Sequence, residues 1–385
     1  MTTAPPPWIG SPPTRSQSFA AMMVGITGVM IAGLQPQLLG ALQEEGRLTA
    51  AQLGHAATGE LLTMGAAVGL AGAWLKPTGL RWIGLACGLL LAVLDALSTR
   101  VSGELITLVR AAAGVPSGVM IWITSGMISR APRPERWSGV FLTLQTLAQF
   151  ALASLLTAAV IGPFGANGGW WALAGLGVLA AGIALAVPPA YAPLAHADGP
   201  GGLPPARGWV ALAVGFLFLA CIVGIWVYAE PLSRQAGHAP NVVGMAVSIS
   251  LGCQVLGGAA ATLLAGRVPW FWTLLGCSVL DLGLLALFGA LPGPGLFLFA
   301  SGLFGFVWLF VLPFLVPMTI EADPTRRTSV LLGGAQLLGA SLGPLIASLV
   351  VTDTDARGAV VFGAVALAAA MVLVTALHLR PHREP

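Results

Sequence analysis

Long apolar runs alternate with short polar breaks from about residue 18 to residue 379. A helix needs about 20 mostly apolar residues to cross a ~30 Å hydrocarbon layer. On that scale the runs form twelve segments: 18–42, 51–75, 80–98, 104–129, 137–161, 168–187, 208–233, 240–266, 269–290, 294–319, 327–351 and 357–379. The breaks carry turn chemistry, as in Lys76-Pro77-Thr78-Gly79, Leu291-Pro292-Gly293-Pro294-Gly295 and Asp323-Pro324. One break is longer. Residues 188–207, rich in Pro and Gly and holding His196 and Asp198, read as a linker between two halves. The pattern predicts an all-α polytopic membrane protein with twelve transmembrane helices in two pseudo-symmetric six-helix bundles, at 18–187 and 208–379. Residues 1–17, with five prolines, are expected to be a disordered tail, and 380–385 a second tail.

Composition narrows the class. Of 385 residues, 57% are hydrophobic and 8% charged, against about 25% charged in a soluble domain. So few charges cannot cover a water-facing surface of this size. A soluble enzyme or a nucleic-acid binder is therefore excluded, and the net charge of +3 gives no reason to expect an anionic macromolecular partner. Cys87, Cys221, Cys253 and Cys277 all sit in apolar runs without metal-ligand spacing. His55, His196, His238, His378 and His382 are scattered, and no HExxH or CxxC occurs. No catalytic residues, metal or cofactor are expected, and a polytopic membrane enzyme is the weaker alternative.

Charge also orients the chain. Twelve spans place both termini on one side. If that side is the cytoplasm, twelve Lys and Arg lie inside and four outside (Arg47, Arg100, Arg234 and Arg357), with Arg110 alone within a span. The bias is the one the positive-inside rule describes. Sixteen Arg to a single Lys, with abundant Ala and Gly, suggests a GC-rich bacterium and hence the inner membrane.

The halves echo one another. An offset of 191 relates Gly114 to Gly305, Met127 to Met318, Ala131 to Ala322, Arg136 to Arg327, Ser138 to Ser329 and Gln145 to Gln336. Spans 3 and 9 share Val-Leu-Asp at Asp95 and Asp281. Paired repeats of this kind place a binding site between them near mid-membrane.

With two further motifs, the chain resembles the major facilitator superfamily of secondary transporters over essentially its whole length. The loop Gly72-Ala-Trp-Leu-Lys76-Pro-Thr-Gly79-Leu-Arg81 is similar to that family's Gly-x-x-x-Asp-Arg-x-Gly-Arg, with Lys76 and Pro77 in place of Asp and Arg. Span 4 offers Arg110-x-x-x-Gly114, without the family's Gln, since Ala113 stands there. The family's Gly-x-x-x-Gly-Pro pattern is poorly matched around Gly162-Pro163 and better matched from Gly339 to Pro344 in span 11. The resemblance implies alternating access around a central site, with Arg110 associated with proton coupling. It does not choose between import and export.

An ionisable residue in hydrocarbon is costly and marks a functional candidate. Glu60 lies nine residues into span 2, at a depth shared by Arg110 and Asp95. Arg110 can pair with Asp95 across the turn at 99–103 as structural glue, or with Glu60 as a proton-linked switch. Asp281 sits mid-span, as a buried acid or a third coupling group. Glu230 precedes Arg234 by one turn and follows Trp226 by one turn, so it reads as a helical ion pair or as a cation-binding rim. Gln35, before Pro36, joins Trp122, Gln145, Gln149, Trp226, Trp308 and Gln336 as candidate lining of an aromatic, hydrogen-bonding pocket; each alone also reads as packing or helix–helix glue.

That pocket lacks the Arg and Lys that a dianion or phosphate ester requires. It suits a small neutral or cationic amphiphile. The expected protein is a monomeric secondary transporter, coupled to protons through Glu60, Arg110 and Asp281. An uncoupled facilitator or a non-transporting receptor of the same fold is the alternative.

Overall fold

The computed structural model describes residues 8–132, 134–192, 204–264, 267–323 and 327–379. The tail residues 1–7 and 380–385 and most of the expected linker, including His196 and Asp198, lie outside these ranges.

The described chain is helical, with twelve long helices. The first six are α1 (Arg15–Glu44), α2 (Ala50–Trp74), α3 (Leu80–Ser98), α4 (Glu104–Ile128), α5 (Pro134–Leu155) and α6 (Ile161–Ala184). A short helix α8 (Ala229–Gln235) follows α7 (Ala206–Val227). The rest are α9 (Asn241–Leu264), α10 (Trp270–Gly289), α11 (Pro294–Ala322), α12 (Arg327–Ser348) and α13 (Arg357–Leu379). Ten segments are long and apolar enough to cross a membrane, and one of them, Gly139–Ala184, runs through both α5 and α6. The long helix outside that set is α2, which carries Gln52, His55 and Glu60. This is a multi-pass membrane protein.

Local chemistry sets the helix ends. Thr14 and Thr49 each close a capping box, with Gln17 and Gln52 returning a side-chain oxygen to the cap N–H at 2.9 and 3.0 Å. The α1 cap starts that helix at Arg15, inside the segment expected to be a disordered tail. Pro294 occupies the first turn of α11, where no N–H is needed. Pro36 leaves α1 continuous. Span 7 ends earlier than expected, at Tyr228, where the backbone departs from helix before α8 resumes. The α5–α6 connection is a π-helical turn over Leu156–Val160, followed by a kink at Gly165 (φ 62°) that a side chain would strain.

Within the first half α2 packs on α4, α3 on α6, and α1 on α4 and α6; within the second α9 packs on α11, α7 on α12 and α13, and α10 on α13. Small residues permit the closest approaches. A Cβ on Gly114 would strike the Glu60 carbonyl, and one on Gly305 the Ser250 carbonyl, so the repeat recurs as equivalent α2–α4 and α9–α11 contacts. Gly339 and Gly343 lie against the Phe216 and Ala220 carbonyls, which explains the glycine spacing of α12 by its contact with α7.

The halves meet along α2–α12 and α5–α9, with α1 touching α7, α8 and α9. The face bearing the termini is marked by contacts joining Ile9 to Arg130, Leu80 to Pro189 and Arg207 to Leu377. The cross-bundle links gather toward the opposite face. There the Tyr228 hydroxyl donates to the Ala50 carbonyl at 3.1 Å, and the Ala50 N–H donates to Asp353 at 2.7 Å.

Candidate functional site

Three helices bring their ionisable residues to one point. Glu60 from α2, Asp95 from α3 and Arg110 from α4 are 0%, 2% and 0% exposed. The Arg110 fork donates Nε to Glu60 Oε2 at 3.0 Å and Nη2 to Glu60 Oε1, a bidentate pair. Its Nη1 donates to Asp95 Oδ1 at 2.8 Å and to the Ser98 hydroxyl at 3.1 Å. The Trp170 ring of α6 covers the guanidinium carbon at 4.5 Å from its centroid. Both partners read from the sequence for Arg110 are therefore engaged at once. A void bordered by Thr27, Met30, Ser117 and Leu173 adjoins the group and has room for no more than about one water.

Charge counting gives the site its character. Two carboxylates face one guanidinium, so with both ionised the group carries one uncompensated negative charge in a low-dielectric setting. A single proton would neutralise it. Four of the five guanidinium N–H donors have named acceptors. Such a group is costly to break, because a lost partner strands a buried charge.

The other expected coupling residue stands apart. Asp281, on α10, is 1% exposed, and its Oδ1 has no hydrogen-bond partner. It lies near the Cys221 and Cys277 thiols.

The expected pocket residues divide into groups. Trp226 and Trp308 meet edge to face, 5.6 Å between centroids, and Trp226 Nε1 donates across the bundles to the Ala32 carbonyl at 3.3 Å. Gln149 donates to the Val29 carbonyl at 3.0 Å, and Gln35 to the Ala57 carbonyl at 3.5 Å; both amides hold α1 to its own bundle, while Gln35 Oε1 stays buried without a partner. Gln145 and Gln336 are half-buried, and Gln336 lies against Gly215 of α7. Trp122 packs between α4 and its neighbours close to Gly72, away from the tryptophan pair.

Glu230 lies elsewhere again, in a cleft of about 530 Å³ between the bundles on the face opposite the termini. Among the described residues no ion pair joins it to Arg234. Sequence reasoning missed Ser98, Trp170, Glu44 and Glu45. Ser98, three residues after Asp95, shares its helix face; nothing local marks Trp170 as the cover of a cation.

No family profile and no curated protein sequence matches the chain. Solved structures do. The nucleoside transporter NupG (D323A mutant) aligns with a TM-score of 0.69 at 12% identity, covering 94% of this chain and 99% of that one. A bacterial homologue of the human lysosomal transporter Spinster, inward-facing and unoccupied, aligns at 0.63 and 13%, covering 96% and 98%. The same homologue, inward-facing and occupied, aligns at 0.61 and 14%, covering 94% and 95%. At these identities the likeness is one of fold, and that fold is the major facilitator fold.

Proposed function

We propose that the chain is a secondary transporter that moves a small neutral or cationic amphiphilic organic molecule by alternating access, coupled to protons. The observation that carries this reading is the buried Glu60–Asp95–Arg110 group. It stands in a bundle that must move against its partner, and its charge changes by one on taking up a proton. Protonation of Glu60 or Asp95 weakens that acid's hold on Arg110 and so alters the packing of α2, α3 and α4 together. Because α2 also contacts α12 of the other bundle, a change there reaches the interface between bundles. NupG is a nucleoside transporter and the other bacterial protein is a homologue of the lysosomal transporter Spinster, which agrees with this reading.

Substrate contacts are assigned to Trp226, Trp308, Gln35, Gln145, Gln149 and Gln336, with Trp122 and Glu230 at the margins. Asp281 is proposed as a second proton-accepting acid. Both termini are taken to be cytoplasmic, in the inner membrane of a bacterium, and the working unit to be a monomer.

The test is reconstitution into liposomes enclosing a pH dye, with a panel of amphiphilic neutral and cationic compounds. Substrate-dependent proton movement is expected in the native protein, with Glu60→Gln losing proton movement but retaining substrate exchange. Saturable transport of a phosphorylated anion, or Glu60→Gln with intact proton-driven transport, would overturn the reading. The competing facilitator reading draws on the enclosure of the charged group inside one bundle; substrate flux with no proton movement would favour it.

A further inference from the structure

The cleft that holds Glu230 is built differently from the central region. Its walls come from both bundles: α1, the π-helical turn and the start of α6 on one side, α8 and α9 on the other. Its floor is a tight cross-bundle seam. Gln37 donates to the Thr157 hydroxyl at 2.5 Å, Gly244 closes against both, and Gly40 lies directly against the Glu230 side chain. The π turn presents Thr157 to this seam, and such turns recur at functional sites.

Three carboxylates, Glu44, Glu45 and Glu230, line the cleft, and no Lys, Arg or His does. Glu45 is already engaged, accepting from the Ala166 N–H at 2.7 Å and lying 3.6 Å from Arg47. Glu44 is exposed at the rim. Glu230 is the unusual member: it is only 4% exposed, it lines the cleft, and its Oε2 is buried with no hydrogen-bond partner. A carboxylate buried without a partner is costly, and a positively charged guest supplies what is lacking.

We infer that this cleft binds an organic cation, an ammonium group seated on Glu230 and steered by Glu44. The cleft volume falls within the range of small-molecule sites, far more than a bare metal ion fills. Among the described residues no group of three or more His, Cys, Asp or Glu is placed to hold a metal. Ile161 and Val243 offer an apolar wall for the body of the guest, and Asn241 a hydrogen-bonding amide. The guest would touch both bundles at the seam where they meet. The assignment narrows the proposed substrate class to its cationic members and rests on the transport reading only for the role of the site, since binding here requires no turnover.

The experiment is calorimetric titration of the purified full-length protein in maltoside micelles with choline and with its uncharged isostere 3,3-dimethylbutan-1-ol. Saturable choline binding is expected, with the isostere at least about tenfold weaker. Glu230→Gln should weaken choline at least about tenfold and Glu44→Gln about threefold, with the isostere unmoved, as loss of a near and a more distant charge requires. Absence of choline binding, equal binding of the two compounds, or choline binding unchanged in the variants would overturn the assignment. Should Glu230→Gln fail to fold, Glu44→Gln, a change at an exposed position, decides it. These readouts move independently of the liposome assay, so failure of one proposal leaves the other standing.

Discussion

The two bundles solve the same packing problem with different interiors. In the first, α2 crosses α4 at Gly114 and places Glu60, Asp95 and Arg110 in a shared charged core. In the second, α9 crosses α11 at Gly305, yet the residue at the Glu60 position is Ser250, and the 191-residue offset carries Arg110 to Ser301. Ser301 turns its hydroxyl to its own helix, donating to the Phe297 carbonyl at 2.8 Å, and Phe288, Phe297 and Phe304 pack nearby. Asp281 remains without a guanidinium. The fold is thus completed once around an ion-paired cluster and, among the described residues, once without one. The charged core is no requirement of the architecture, which is why a function is sought in it.

Breaking the charged core should have the largest effect. Arg110→Ala leaves two buried acids without a counter-charge, and a loss of about 3–5 kcal/mol of stability is expected, read as a drop in the thermal midpoint of the purified protein. Making the first bundle resemble the second should recover much of that loss: the triple variant Glu60→Gln, Asp95→Asn, Arg110→Met removes all the charges together, and a midpoint well above that of Arg110→Ala is expected. If the triple variant is as unstable as the single one, charge is structural after all and the contrast between bundles fails.

A smaller effect should be shared. Gly114→Ala and Gly305→Ala each force a Cβ onto a neighbouring carbonyl, and each should cost about 1–3 kcal/mol. Similar thermal shifts for the two would confirm equivalent crossings. The smallest effect is expected at the exposed Asp355–Arg357 pair, 2.9 Å apart where α13 begins. Hydrogen bonds from the Arg357 and Gln235 side chains hold the Asp355 carboxyl below the usual carboxylate range. Its contribution is therefore present above about pH 4, the ordinary carboxylate value, and is lost as pH falls further. Asp355→Asn should leave the midpoint at pH 7 nearly unchanged and slightly flatten its decline in acid.

The crossings were legible in the sequence because hydrocarbon admits few exceptions: a run either spans or does not. The repeat register was legible at Gly114 and Gly305, where close backbone contact tolerates no side chain. Partner choice for Arg110 was not, since Glu60 and Asp95 lie at comparable depth and periodicity cannot rank them. The structure engages both because a guanidinium has donors enough for two acids and a hydroxyl. Nor could spacing reveal the break at Tyr228 or the π turn after Leu155, since both lie within apolar runs. Those two irregularities bring Glu230 and Thr157 to the cleft.

One last feature bears on how far the bundles can part. The chain leaving α6 is stitched to the first bundle as far as Ala192: Arg81 holds the Val187 carbonyl, Thr78 bridges Ala190, Tyr191 reaches Pro77, and Arg130 grips the Ala192 carbonyl at 2.6 Å. From Ala192 to Pro205, the cap of α7, thirteen residue steps can reach at most about 45 Å. Loosening those stitches, rather than inserting residues, would be the gentlest way to give the two bodies a longer stride.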